Sequence, residues 1–196
     1  LLRKEFYDIN ETESINKDVK LLIIGGSQGA KLFDTEIQNS IINLSKRYKL
    51  KVYQQSSQNN YQSLKRLYQT NEIDNELFDF DEDISIFMKK SNICLTRAGA
   101  STLAELVFLN IPHLAIPLPT AKDNHQFENA FFYNKQGCNW ILNQSEIKGD
   151  ILTNKLINII DNKEEQLIKK KNMKNFIYQN TWININLEII STINEN

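Results

Sequence analysis

From Val19 the chain runs through VKLLII almost without polar interruption and then meets two glycines, Gly25 and Gly26. A short continuous apolar run closed by glycines predicts a strand buried on both faces. The period then changes. In AKLFDTEIQNSIINLSKRY, Leu32, Ile37, Ile41 and Leu44 fall near one face of a helix, and KLKVYQQ returns to strand. The alternation continues with a helix near Tyr61 to Tyr68, a strand near Leu77 to Phe80, a helix from about Asp83 to Lys90 and the strand NICLT. The helix STLAELVFLN, the strand HLAIPLP, the loop TAKD, a helix from about Asn124 to Gln136 and the short strand CNWIL complete it.

Strands alternating with helices at this spacing predict a parallel sheet covered on both faces, because parallel crossovers need a helix and are right-handed. The fold class expected is α/β, a Rossmann-like doubly wound sheet. From about Glu146 strand signals stop, and NKLINIIDN, EEQLIKKKNMKNFIYQ and INLEIISTI predict a helical C-terminal tail. Residues 1–17 are polar and irregular, so the division expected is 1–17, 18–145 and 146–196.

Composition narrows the function classes. A chain of 196 residues, 41% hydrophobic, can bury one sizeable core. Lys plus Arg (23) nearly balances Asp plus Glu (24), so no global field draws it to nucleic acid, and any charged ligand must be held locally. Cys94 and Cys138 sit in apolar runs without metal-like spacing and are expected to be buried thiols. No apolar run approaches the roughly 20 residues that span a bilayer, and LLRKEFYDIN has the wrong order for a secretory signal. The Lys169 to Lys171 run, flanked by Glu164 and Glu165, is expected to be a solvated helix face. The chain begins without Met, and a piece of a longer protein is expected.

In open parallel sheets, ligands bind beyond the carboxyl ends of strands, where loops enter helix N-termini that carry unpaired N–H groups and partial positive charge. Four such turns stand out. GGSQGA, Gly25 to Ala30, lets backbone approach an anion closely, with Ser27 at its centre. It is not a P-loop, because Ala30 and Leu32 break that pattern, nor a dinucleotide fingerprint, because Ser27 replaces the second glycine. A tight turn with no ligand is the other reading.

RAGASTLAEL, from Arg97, offers the N–H groups of Ser101, Thr102 and Leu103 at a helix mouth, with Glu105 about 5 Å further along the axis, where it could accept ribose hydroxyls. Thr102-x-x-Glu105 equally matches a capping box, in which the two side chains satisfy orphan backbone donors. TAKDNHQFENA gathers His125, Gln126 and Asn129 near a helix start, polar groups that suit sugar hydroxyls or a solvated first turn. His113, heading an apolar strand, is expected to be structural. FDFDED pairs Asp79 with Asp81 and Asp81 with Asp83, a spacing that could hold a divalent metal, but acids at a helix N-terminus are the favoured reading. No metal is expected.

The ordered set GGSQGA, RAGASTLAEL and PLPTAKDNHQFENA resembles the C-terminal half of the MurG family of bacterial glycosyltransferases. The likeness covers roughly Arg3 to Leu142. It implies the C-terminal half of a GT-B fold, two Rossmann-like domains facing across a cleft, with residues 1–17 the remnant of an interdomain linker. It implies transfer of GlcNAc from UDP-GlcNAc to undecaprenyl-linked muramyl-pentapeptide in peptidoglycan synthesis, with inversion, without metal or other cofactor.

By motif, the resemblance puts Ser27 on phosphate, Ala100, Ser101, Thr102, Leu103 and Ala104 around pyrophosphate and sugar, and Glu105 on ribose. Gln126, with His125 and Asn129, would touch GlcNAc hydroxyls. Backbone near Phe80, Asp81 and Ile84 would frame uracil, and Arg3 resembles an arginine that follows the linker. His125 stands where some relatives have glutamine, and Asp81 where an apolar residue is common.

The family's N-terminal domain, which takes the lipid acceptor and is expected to supply the general base, has no counterpart in this sequence, so transfer by this segment alone is not expected. Membrane contact would be peripheral, on the cytoplasmic side of the bacterial inner membrane, and mainly through that other half. Two other readings share the motifs: another UDP-sugar GT-B enzyme, such as a glycolipid glucosyltransferase or an epimerase, and a non-catalytic donor-binding subunit that needs a partner chain.

Overall fold

A computed structural model describes residues 2, 18–26, 32–80, 83–176 and 190–191. Six parallel strands form one sheet, in the order β3-β2-β1-β4-β5-β6. They are β1 (Asp18–Ile24), β2 (Lys49–Gln55), β3 (Asp74–Phe78), β4 (Ile93–Thr96), β5 (His113–Ala115) and β6 (Trp140–Ile141). The helices between them are α1 (Gln38–Ser45), α2 (Gln58–Thr70), α3 (Ile84–Lys90), α4 (Ala100–Phe108) and α5 (His125–Lys135), followed by α6 (Ile151–Asp161) and α7 (Lys163–Asn175). This is the Rossmann strand order, and it reverses direction between β1 and β4.

Side chains of β1 alternate between two cores. Val19, Leu21 and Ile23 join Ile41 and Leu44 of α1, Leu64 and Tyr68 of α2, and Leu152, Leu156, Ile159 and Ile160 of α6. Leu22 and Ile24 point the other way, onto Phe87 and Met88 of α3 and Leu106 of α4. A third cluster unites Leu103 and Val107 of α4 with Ala130 and Tyr133 of α5 and Met173 of α7. Both faces of β1 are therefore apolar and dry, which is why its sequence shows no alternation. After residue 146, α6 shares the β1 core and α7 closes over α4 and α5; the helix expected at INLEIISTI lies, but for residues 190–191, outside the described residues.

Several element boundaries differ from those expected. The helix foreseen from Ala30 opens with a π-helical turn, Leu32–Glu36, before α1 begins at Gln38. The turn draws Asp34 into the interior, where it is 5% exposed. At the sheet edge β3 starts at Asp74, and only Leu77 and Phe78 of it are buried. β5 stops at Ala115, since Pro117 and Pro119 lack the N–H groups that a longer ladder needs. Cys94 and Cys138 are buried free thiols, and burial raises the pKa of each.

Candidate functional site

Strand order reverses between β1 and β4, and an open α/β sheet takes its ligand beyond the carboxyl ends of the strands at such a switch point. On the β1 side, Gly26 has φ +64, a left-handed value that glycine adopts without cost. Its N–H donates to Gln55 Oε1 at 3.1 Å. Past the loop, Gln54 Nε2 donates to the Phe33 carbonyl at 3.1 Å and to Asp34 Oδ1 at 3.2 Å, and Tyr68 Oη donates to Gln54 Oε1. Asp34 also accepts from Asn60 Nδ2 at 2.9 Å and Ser57 Oγ at 3.3 Å. Two adjacent glutamines at the end of β2 thus pin the glycine loop on its entry and exit sides. Ser27, at the centre of that loop, lies outside the described residues, as do Arg3 and Asp81.

On the β4 side, α4 begins at Ala100 with Gly99 as its N-cap and no side-chain cap. Gly99 has φ −66 and ψ 135, values open to any residue, so the turn does not require its conformational freedom. What it supplies is a helix mouth without a side chain. The N–H groups of Ala100, Ser101 and Thr102 have no partner inside the helix, whereas that of Leu103 is already donated to the Gly99 carbonyl at 3.0 Å. The expectation that Leu103 offers an amide is corrected accordingly. Thr102 is the third helical residue, not the N-cap, so Thr102 and Glu105 do not form a capping box. Ala100 and Ser101 are exposed, while Leu103, Ala104 and Glu105 are buried, Glu105 at 1% exposure.

The loop after β5 carries two successive left-handed non-glycine residues, Asp123 (φ 51) and Asn124 (φ 54), which strain the backbone immediately before α5. His125 is exposed, with Nδ1 2.7 Å from the Lys122 carbonyl. Gln126 turns back: its Oε1 accepts from the backbone N–H groups of Ala98 (3.2 Å) and Leu118 (3.0 Å). Asn129 Nδ2 donates to the Ala98 carbonyl at 3.1 Å. Both amides hold the loops after β4 and β5 together, and Gln126 keeps its Nε2 donor for other work.

At the end of β3, Asp83 caps α3 by accepting from Ser85 N and Ser85 Oγ, each at 2.9 Å. Asp79 accepts from Gln58 Nε2 and from the Phe80 amide, and Ile84 is buried. A cavity of ≈ 300 Å³ opens beside them, lined by Ser56, Gln58, Tyr61, Gln62, Leu77 and Asp79. Among the described residues no group of three or more His, Cys, Asp or Glu side chains is placed to hold a metal ion.

Arg97 carried no expected role, yet it lies between these loops at 6% exposure. Its Nη1 donates to the carbonyls of Ile116 (3.1 Å) and Pro117 (3.3 Å), its Nη2 donates to Gln144 Oε1 (2.8 Å), and its guanidinium sits 5.3 Å from the Phe33 ring centroid. These partners come from three other loops, so proximity in sequence could not reveal them.

The family model of the glycosyltransferase family 28 C-terminal domain matches residues 20–181. The chain belongs to that family. Over all 196 residues this family 28 chain is 63% identical to a curated relative from Pelagibacter ubique (strain HTCC1062), named UDP-N-acetylglucosamine--N-acetylmuramyl-(pentapeptide) pyrophosphoryl-undecaprenol N-acetylglucosamine transferase, and spans 55% of its length. A Rickettsia typhi (strain ATCC VR-144 / Wilmington) protein of the same name is 38% identical over 147 residues, 74% of this chain and 38% of the relative. The family 28 chain thus spans about half the length, or less, of these relatives. The crystal structure of Acinetobacter baumannii MurG superposes with a TM-score of 0.67 at 25% identity, covering 87% of this chain and 47% of that one. A UDP-GlcNAc 2-epimerase from Neisseria meningitidis, solved bound to UDP-GlcNAc, shares the fold at a TM-score of 0.62 and 17% identity, covering 98% of this chain and 46% of that one.

Proposed function

We propose that this chain is the donor-binding portion of an inverting transferase that moves GlcNAc from UDP-GlcNAc to undecaprenyl-linked muramyl-pentapeptide in bacterial peptidoglycan synthesis. The observation that carries the reading is the bare N-terminus of α4 at the β1/β4 switch point, with Glu105 on the same helix, in a chain so similar to curated transferases of that name. The diphosphate would rest against the N–H groups of Ala100, Ser101 and Thr102, with Ser27 on phosphate and Glu105 on the ribose hydroxyls. The donor Nε2 of Gln126, with His125 and Asn129, would reach the GlcNAc hydroxyls, and backbone around Asp81 would frame uracil.

As the bond to the anomeric carbon breaks, negative charge grows on the departing diphosphate, and a preorganised helix N-terminus stabilises it without a metal. The muramyl hydroxyl would attack in line, its proton taken by a general base from the family's N-terminal half, which would also bind the lipid acceptor at the cytoplasmic face of the inner membrane. Residues 18–145 would form the sugar-nucleotide domain, with 1–17 a linker and 146–196 an accessory helical segment.

Calorimetry tests this. UDP-GlcNAc should bind without added metal and more tightly than UDP-glucose. Glu105→Ala should weaken UDP by about 2 kcal/mol, roughly thirtyfold, the usual worth of a hydrogen bond to a charged group. If Glu105→Ala lowers the melting temperature but leaves UDP affinity intact, its role is structural.

A further inference from the structure

Arg97 is a buried cation whose hydrogen bonds go to neutral oxygens: two carbonyls and one amide. Among the described residues no carboxylate lies within 4 Å of its nitrogens, and Nε is buried without a partner. Burial pulls its pKa down to about 10, with the charge of Glu36 opposing that pull, and the group stays charged at neutral pH. Burying a charge without a counter-ion is costly and needs a structural or binding gain elsewhere.

The contacts of Arg97 show where that gain arises. The backbone of Arg97 extends the β1–β4 ladder through its N–H to the Ile24 carbonyl at 3.0 Å, at the switch point itself. Its side chain then reaches the π-helical turn Leu32–Glu36 through the Phe33 ring, the loop after β5 through Ile116 and Pro117, and the turn after β6 through Gln144. A planar fork fixes direction as well as distance at each partner, which the flexible ammonium of a lysine does not.

We propose that Arg97 is the positioning residue of the diphosphate site: its guanidinium sets the loops after β4 and β5 against the helical turn at Phe33, so that a diphosphate meets amides already aligned at the mouth of α4. This rests on the donor-site reading above. The end of β3, where uracil is placed, receives no contact from Arg97, so the effect is confined to the phosphate end of the nucleotide.

Amide NMR titrations of the full chain with UDP and with uridine separate these ends, and thermal melting reports folding. Arg97→Gln is expected to weaken UDP about tenfold or more while uridine affinity stays within about twofold, and Arg97→Lys to recover only a minor part of the loss. Gln144→Ala, which removes one acceptor and leaves the charge in place, should weaken UDP by a smaller factor, again without affecting uridine, and serves if the Arg97 variants fail to fold. Full recovery in Arg97→Lys would overturn the positioning role in favour of charge alone. Equal weakening of UDP and uridine would overturn it in favour of general support of the fold, and unchanged UDP binding in every folded variant would remove it. Failure of the unsubstituted chain to bind UDP would overturn the donor-site reading itself, and this inference with it.

Discussion

His113 opens β5 with no exposed surface, its Nδ1 2.8 Å from the Ile111 carbonyl and its Nε2 buried without a partner. Burial, reinforced by the nearby charge of Lys169, lowers its pKa from 6.5 to about 4. The unfolded chain therefore takes up a proton near pH 6.5, while the folded chain resists until about pH 4, so the folded state loses stability as pH falls through that window. The loss amounts to about 3 kcal/mol at the acid end. Urea melts between pH 7 and pH 4 check this: His113→Gln should remove that part of the slope. At this scale the sequence was informative where a residue's surroundings are local, as for His113 in its apolar strand. It was silent for Arg97 and for the backbone contacts of Gln126, whose partners Ala98 and Leu118 lie on two other loops.

The end of α5 shows how one element is stopped and fastened. Gly137 has φ +69, its N–H donates to the Asn134 carbonyl at 2.8 Å, and the Cys138 N–H donates to the Tyr133 carbonyl at 3.0 Å. This is a Schellman closure with glycine in the left-handed position. A Cβ there would also run into the Asn172 amide on α7, which donates to the Gly137 carbonyl. Gly137→Ala should thus cost about 1–2 kcal/mol, visible as a drop of several degrees in melting temperature, with nucleotide binding unchanged. Elements buried on both faces, β1 and β4 above all, were readable as apolar runs. The edge strand β3 was displaced in the reading because Asp74, Asn75 and Glu76 carry no apolar signal. The π-helical turn at Leu32 was missed because its cause is the remote glutamine and asparagine partners of Asp34.

At the scale of the molecule, the helices after residue 146 are part of what holds the sheet. Leu156 and Ile159 are fully buried in the same cluster as Leu21 and Ile23. Leu156→Ala should cost about 2–5 kcal/mol, the range for a cavity in a closed core, and denaturant melts should show one transition for sheet and helix together. The strand order adds something about how the chain comes to be folded at all. β1 pairs with β2 early in the sequence, but its other edge waits for β4, and Lys20 meets Asn92 across 72 residues. A nascent polypeptide halted on the ribosome before Ile93 would present a bare strand edge, apolar from Leu21 to Ile24, an open template for a second chain. That interval of synthesis is when a chaperone has most to protect.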